Sequence, residues 1–197
     1  MLVYAITHNS RTNGPGVRSV IHLAGCTQGC KGCFSPHTWT QEGAKRMSPH
    51  EAAYALWTAH PDGISISGGE PLEQISEVFE MVRYLFMWAR NVGGLPNGIL
   101  LYSGTTERQR QQMADWPALE AMLDAAILGP YMERQATRRV TSLLSSANQV
   151  ATTYGRKIAP SELRGPSIEV KIGPDGEAVV MGFPDRNVLA ALSGQED

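Results

Sequence analysis

Four short apolar runs separated by helix-like stretches constrain the fold of this 197-residue chain more than any other feature. The runs are VRSVIHLA at 17–24, GISIS at 63–67, ILLY at 99–102 and AAIL at 125–128. Between the first two, Ser48 reads as a helix N-cap with Glu51 in the capping-box position. Ala52, Ala53, Leu56 and Trp57 then follow at helical spacing towards His60. Residues 72–90 place Leu72, Ile75, Val78, Phe79, Val82, Phe86 and Ala89 on one helical stripe. A more polar helix is predicted over 106–123, with a break before Pro117. Strands alternating with helices predict parallel βαβ units. Each run also ends at a motif containing glycine or cysteine, and parallel folds build their sites at the C-terminal ends of strands.

The pattern weakens over 132–166, a stretch rich in Ser, Thr and Arg that reads as loops with a short helix. Residues 168–181, IEVKIGPDGEAVVM, read as a β-hairpin about a Pro174-Asp175-Gly176 turn, and the residues after Asn187 as a frayed tail. No repeat or low-complexity linker interrupts the chain, which predicts one domain. Composition narrows the partners. Charged residues make up 18% and the formal net charge is -2, with basic side chains scattered except for Arg134, Arg138 and Arg139. That group reads as a solvated face, so no nucleic-acid partner is expected. No apolar run reaches the roughly 18 residues of a membrane span, and MLVYAITHNS lacks the features of a secretion signal. The expectation is a cytoplasmic protein with no membrane partner.

All three cysteines, Cys26, Cys30 and Cys33, lie in the segment GCTQGCKGCF. An odd number packed this closely is a poor disulfide framework, because such short loops strain the bridge. Soft thiolates in a reducing compartment point to metal. A Cys3His zinc site with His22 or His37 is one reading, although zinc prefers four ligands in paired knuckles. The other is an iron-sulfur cube. Three thiolates would leave one iron without a protein ligand, open for a substrate. Gly25, Gly29 and Gly32 would let the backbone come close to such a cluster.

The spacing C-x3-C-x2-C directly after a strand resembles the signature of the radical S-adenosylmethionine superfamily. Asn13-Gly14-Pro15-Gly16-Val17-Arg18 resembles the "DGPG.R" segment of its glycyl-radical-enzyme activating branch, with Asn for Asp. GCTQGCKGCFSPHTW is similar to the cluster loop of anaerobic ribonucleotide reductase activating proteins, with Ser35 where those have Asn. Ser67-Gly68-Gly69-Glu70-Pro71 resembles the family's "GGEP" segment, and Ser145-Ser146-Ala147-Asn148-Gln149 its "GSSNQ". The family motifs span roughly residues 13–131, with 132–197 a C-terminal elaboration.

The resemblance implies a partial (βα) TIM-like barrel of radical SAM type carrying a C-terminal β-hairpin. It implies a 4Fe-4S cluster on Cys26, Cys30 and Cys33, and S-adenosyl-L-methionine bound by Ser67, Gly68, Gly69 and Glu70, with Glu70 facing the methionyl ammonium. Ser103 would lie near the ribose or carboxylate, the Phe34 backbone would meet the adenine, and Leu128 or Pro130 would line it. Arg18 would point into the barrel as a charge partner. The implied activity is reductive cleavage of S-adenosylmethionine to a 5′-deoxyadenosyl radical that abstracts hydrogen. The implied partners are a flavodoxin-like electron donor and a glycyl-radical enzyme, or another macromolecular substrate. A small radical enzyme acting on a peptide or small molecule, similar to 7-carboxy-7-deazaguanine synthase, is the alternative. A non-catalytic metal-binding module is a second.

Overall fold

The computed structural model of the chain describes residues 1–91, 94–137, 142–155, 157–164, 168–172, 176 and 178–182. All four apolar runs are strands: β2 (Arg18–Leu23), β4 (Gly63–Gly68), β5 (Ile99–Ser103) and β6 (Ala125–Leu128). Each pairs in parallel with the next. The β/α alternation gave no place to β1 (Leu2–Ser10), β3 (Lys45–Arg46) or β7 (Val150–Thr153). These run antiparallel at the two sides, giving the order β3-β1-β2-β4-β5-β6-β7. The fold is therefore α/β with a mixed sheet. A separate two-stranded hairpin, β8 (Ile168–Ile172) and β9 (Ala178–Gly182), stands where it was expected. Pro174 and Asp175 of its turn lie outside the described residues, as do Arg138, Arg139 and the tail after Asn187.

Helix α1 (Pro49–Trp57) begins as its sequence dictates. The Ser48 hydroxyl accepts from the Glu51 N–H at 3.2 Å, and the Glu51 carboxylate accepts from the Ser48 N–H at 2.7 Å. The stripe helix starts later than predicted. Pro71–Gln74 forms a 3-10 turn, and α2 runs from Ile75 to Asn91. The 106–123 region divides into α3 (Glu107–Gln111) and α4 (Trp116–Glu120), with Pro117 in the opening turn of α4. A proline is tolerated there because that N–H needs no intrahelical partner.

Helices α1 and α2 cover one face of the sheet. Leu56, Val78, Met81, Val82 and Leu85 pack on Ile21, Leu23, Ile64, Ile66 and Leu101 in one buried cluster. Each such side chain contributes about 1.5–3 kcal/mol on burial. The other face, at Leu100, Ala125 and Ile127, is covered by Leu143 and Ile158. The described part of 132–166 thus lines this face. Its residues form 3-10 turns and β7, with no α-helix among them.

The NGPGVR segment belongs to the opposite end of β2 from the cysteines. Five steps of about 3.3 Å along β2 separate the two ends by roughly 16 Å. Arg18 is buried there, as the inward reading held, but its partners are not carboxylates. Its guanidinium donates to the carbonyls of Pro15, Asn97, Ile64 and Gly98 and to Ser65 Oγ, at 2.6–3.0 Å. Five donors meet five acceptors, so the charge is solvated by strand starts rather than paired. Burial pulls its pKa down to about 10.

Candidate active site

Strand β2 runs directly into the cysteine loop, whose ends are fixed by main-chain bonds. Gly25 N–H donates to Thr38 O at 2.8 Å and Cys26 N–H to Trp39 O at 3.1 Å. All three cysteines are free and half-buried. Ser35 N–H donates to Cys33 Sγ at 3.4 Å, and the backbone at Gln28 and at Tyr131 favours the thiolates of Cys26 and Cys30 respectively. Gly25 and Gly29 have positive φ, and the backbone of each faces open space on the side a Cβ would take. Burial pushes the Cys26 thiol up, with the Glu70 and Glu73 carboxylates adding to it. Burial likewise raises Cys30, helped by Cys33. Such thiols become ligands when a cation displaces their protons.

Three soft sulfurs on one loop, with backbone groups that favour their thiolates, fit an iron-sulfur cluster. Among the described residues, no three His, Cys, Asp or Glu side chains converge on a point for a single ion. A cube does not need that convergence, since each sulfur takes its own corner. His22, weighed as a zinc ligand, is largely buried, and burial and then His37 push its pKa down to about 4.

The SGGEP turn locks onto this loop. Gly69 N–H donates to Leu23 O at 2.7 Å and Glu70 N–H to Gly25 O at 2.8 Å. A Cβ on Gly69 would stand 2.2 Å from Gly25 O. Gly68, at φ 110°, would bring one within 2.2 Å of Leu23 N. Only glycine allows both approaches. Ser67 lies in register with His22.

Glu70 is 1% exposed. Its Oε1 accepts from Leu72 N–H at 2.9 Å and Ser103 Oγ at 2.8 Å, and its Oε2 from Gly104 N–H at 2.7 Å. The carboxylate thus ties the end of β4 to the end of β5, and burial raises its pKa. A carboxylate has about four acceptor positions, so these three bonds leave one for an incoming donor. Ser103 is held between Glu70 and Thr105 Oγ1, at 2.7 Å from the latter.

Phe34 is 38% exposed and meets Tyr131 edge-on, with ring centroids 5.6 Å apart. The LGPY segment therefore reaches the cysteine loop, and Pro130 Cα lies near Gly104. Beside it, a cleft of about 540 Å³ is lined by Lys31, Tyr131, Met132, Glu133, Arg134 and Gln135. Lys31 and Glu133 pair across its rim at 3.4 Å.

Two residues of this region had no role assigned from sequence. Glu73 Oε1 accepts from Thr27 N–H at 2.8 Å and Thr27 Oγ1 at 2.6 Å, beside Cys26. Gln74 Nε2 donates to Ala24 O at 3.0 Å, and its Oε1 accepts from Leu2 N–H at 2.6 Å. Polar residues opening an otherwise apolar helix were the available signal.

Comparison with known proteins agrees with this geometry. A family model described as a 4Fe-4S single cluster domain matches residues 12–152. The chain is 31% identical over 84 residues to a pyruvate formate-lyase-activating enzyme of Listeria monocytogenes, covering 40% of this chain and 34% of that protein. It is 27% identical over 147 residues to an anaerobic ribonucleoside-triphosphate reductase-activating protein of Vibrio cholerae, covering 70% and 88%. A protein of the same name from Enterobacteria phage T4 is 32% identical over 82 residues, covering 38% and 53%. The match thus spans about a third of the length of the pyruvate formate-lyase-activating relative and most of the Vibrio one. The chain belongs to the 4Fe-4S single cluster domain family. Its resemblance is to the glycyl-radical activating branch of the radical S-adenosylmethionine enzymes, whose cofactors are a 4Fe-4S cluster and S-adenosylmethionine.

Proposed function

We propose that Cys26, Cys30 and Cys33 hold a 4Fe-4S cluster with which the chain cleaves S-adenosylmethionine, to activate a glycyl-radical enzyme. When bound, the cluster supplies the electron that breaks the C5′–S bond, giving methionine and a 5′-deoxyadenosyl radical that takes hydrogen from the partner. The protein's own part is to bind, orient and exclude water. The Gly68-Gly69 backbone and the remaining acceptor position of Glu70 face the methionyl ammonium. Ser67 and Ser103 flank the nucleoside, and the Phe34 backbone and Pro130 line the adenine. Anaerobic ribonucleotide reductase is the target class favoured, because the Vibrio alignment covers most of both chains. A flavodoxin-like protein is the proposed donor. The parallel strands are read as part of an open (βα) barrel, and the chain as one domain.

The observation that carries this reading is the Gly69–Gly25 lock, which joins the cysteine loop to the turn that would hold the nucleoside. The test is anaerobic reconstitution, followed by dithionite-driven 5′-deoxyadenosine production with and without a candidate partner. Deoxyadenosine plus a glycyl doublet in the partner's paramagnetic resonance spectrum is expected. Abundant deoxyadenosine with no partner radical would count against activation. Cys30→Ala should abolish both iron uptake and turnover. Glu70→Gln should keep its iron but bind S-adenosylmethionine about tenfold more weakly, the loss of one charge-assisted bond of roughly 1.4 kcal/mol. Unchanged affinity would remove Glu70 from the nucleoside site.

A further inference from the structure

Among the described residues after 132, the loop Ser145–Gln149 is heavily cross-braced, and most of its outward bonds reach one neighbour. Gln149 Oε1 accepts from Ser145 N–H at 2.9 Å, Ser145 Oγ at 2.8 Å and Ser146 N–H at 3.2 Å, which closes the loop on itself. Ser145 O accepts from Thr137 N–H at 3.0 Å, and four further bonds run to residues 129–135. Gln149 Nε2 donates to Gly129 O at 3.0 Å and Asn148 Nδ2 to Pro130 O at 2.7 Å. Ser146 Oγ, fully buried, accepts from Met132 N–H at 3.2 Å, and Ala147 N–H donates to Gln135 O at 2.7 Å. Residues on both sides of Tyr131 are therefore held, while Tyr131 itself is turned the other way.

On that other side lies the cysteine loop. The Tyr131 ring meets Phe34, and the Tyr131 backbone N–H lies on the side of Cys30, where it favours the thiolate. Glu133 pairs with Lys31, and its carboxylate packs where a Cβ on Gly32 would come within 2.9 Å. Segment 129–133 is thus a strap over the second and third cysteines, fastened from behind by Ser146, Asn148 and Gln149.

From this double contact we infer that Ser146, Asn148 and Gln149 are positioning residues that set how easily the cluster is reduced. The inference rests on the reading of Cys30 as a cluster ligand. A reduced cluster carries one more negative charge than the oxidised one. An N–H aimed at a ligand sulfur stabilises that charge and raises the potential. The direction of the Tyr131 N–H is fixed by the carbonyl of Pro130 and the N–H of Met132, the two groups the loop holds. Releasing them lets the N–H turn away from Cys30, and the cluster becomes harder to reduce.

The experiment uses the full chain, reconstituted anaerobically, with iron and sulfide counted and the reduced cluster followed by paramagnetic resonance at poised potentials. Ser146→Ala and Asn148→Leu, both uncharged, remove one fastening each. The double variant should keep its iron and hold about tenfold less reduced cluster at a fixed potential, a midpoint about 59 mV lower for one electron. Ser146→Thr, which keeps the hydroxyl, should keep the parent midpoint. A fully loaded double variant with an unchanged midpoint overturns the inference. Should the double variant lose its iron, Ser146→Ala alone carries the test with about a threefold effect, and no shift there overturns it equally. Parent protein that takes up no iron or sulfide defeats the cluster reading itself, a separate and visible failure.

Discussion

Gly69 and Asn148 hold the cysteine loop from two sides and by different means. At Gly69 the contact is main chain against main chain, with the Gly69 and Glu70 N–H groups bonded to Leu23 O and Gly25 O and no room for a side chain. At Asn148 the contact is indirect: a side-chain amide holds Pro130 O, and the strap that follows reaches Cys30. Direct backbone locks tolerate no substitution. Side-chain fastenings are graded, because each can be removed singly. The first kind should therefore control whether the loop has its shape, and the second how the loop behaves once shaped.

The largest effect expected from this contrast is that of Gly69→Ala. The added methyl would stand 2.2 Å from Gly25 O, so turn and loop must separate. Overpacking against backbone costs about 3 kcal/mol or more. Iron uptake should fall together with the urea midpoint. A Gly69→Ala protein with full iron content and parent stability would erase the distinction between the two sides.

A middle-sized effect tests the strand beneath the lock. The His22 pKa is held down at about 4, against about 6.5 in an unfolded chain. Between those values the unfolded chain binds the extra proton. Stability should therefore rise with pH from 4 to 6.5 and be fully present above that window. The shift corresponds to at most about 3 kcal/mol. Urea midpoints of the apoprotein and of His22→Gln across this range check it. Equal slopes in both would show that His22 titrates normally.

The smallest effect belongs to the rim of the strap. Lys31 is almost fully exposed in its pair with Glu133, and exposed ion pairs contribute about 0–1 kcal/mol. Lys31→Ala should leave the thermal midpoint within about a degree or two. A larger drop would mean that the strap depends on its outer edge more than on its fastenings behind.

The two sides also differ in how far they could be read from sequence. Strand period, the Ser48–Glu51 capping box and the run Gly68-Gly69-Glu70 are local signals. They found β2, β4, β5, β6 and the motif turns to within a residue or two, and the start of α1, which ends at Trp57 rather than running on to His60. Glycine is legible because one residue type alone satisfies a positive φ or a close approach. The internal bonds of Glu70 with Ser103 and Gly104 were not legible, since they join residues 33 and 34 positions apart. β1 and β7 escaped because antiparallel side strands obey no βα rhythm. The lining role of 142–158 was hidden in single apolar residues, Leu143 and Ile158, with no period to mark them. Ser146, Asn148 and Gln149 were visible as a motif, but their target at 129–132 was not.

The two ends of the cysteine loop are already tied by Gly25, Cys26, Gly69 and Glu70 through main-chain bonds alone. On the proposed reading, iron and sulfide would arrive at a mould rather than create one, unlike a zinc finger that must be knitted together by its metal. A cluster lost from this loop would then be expected to rebuild on the same molecule, because what is lost is the filling and not the vessel.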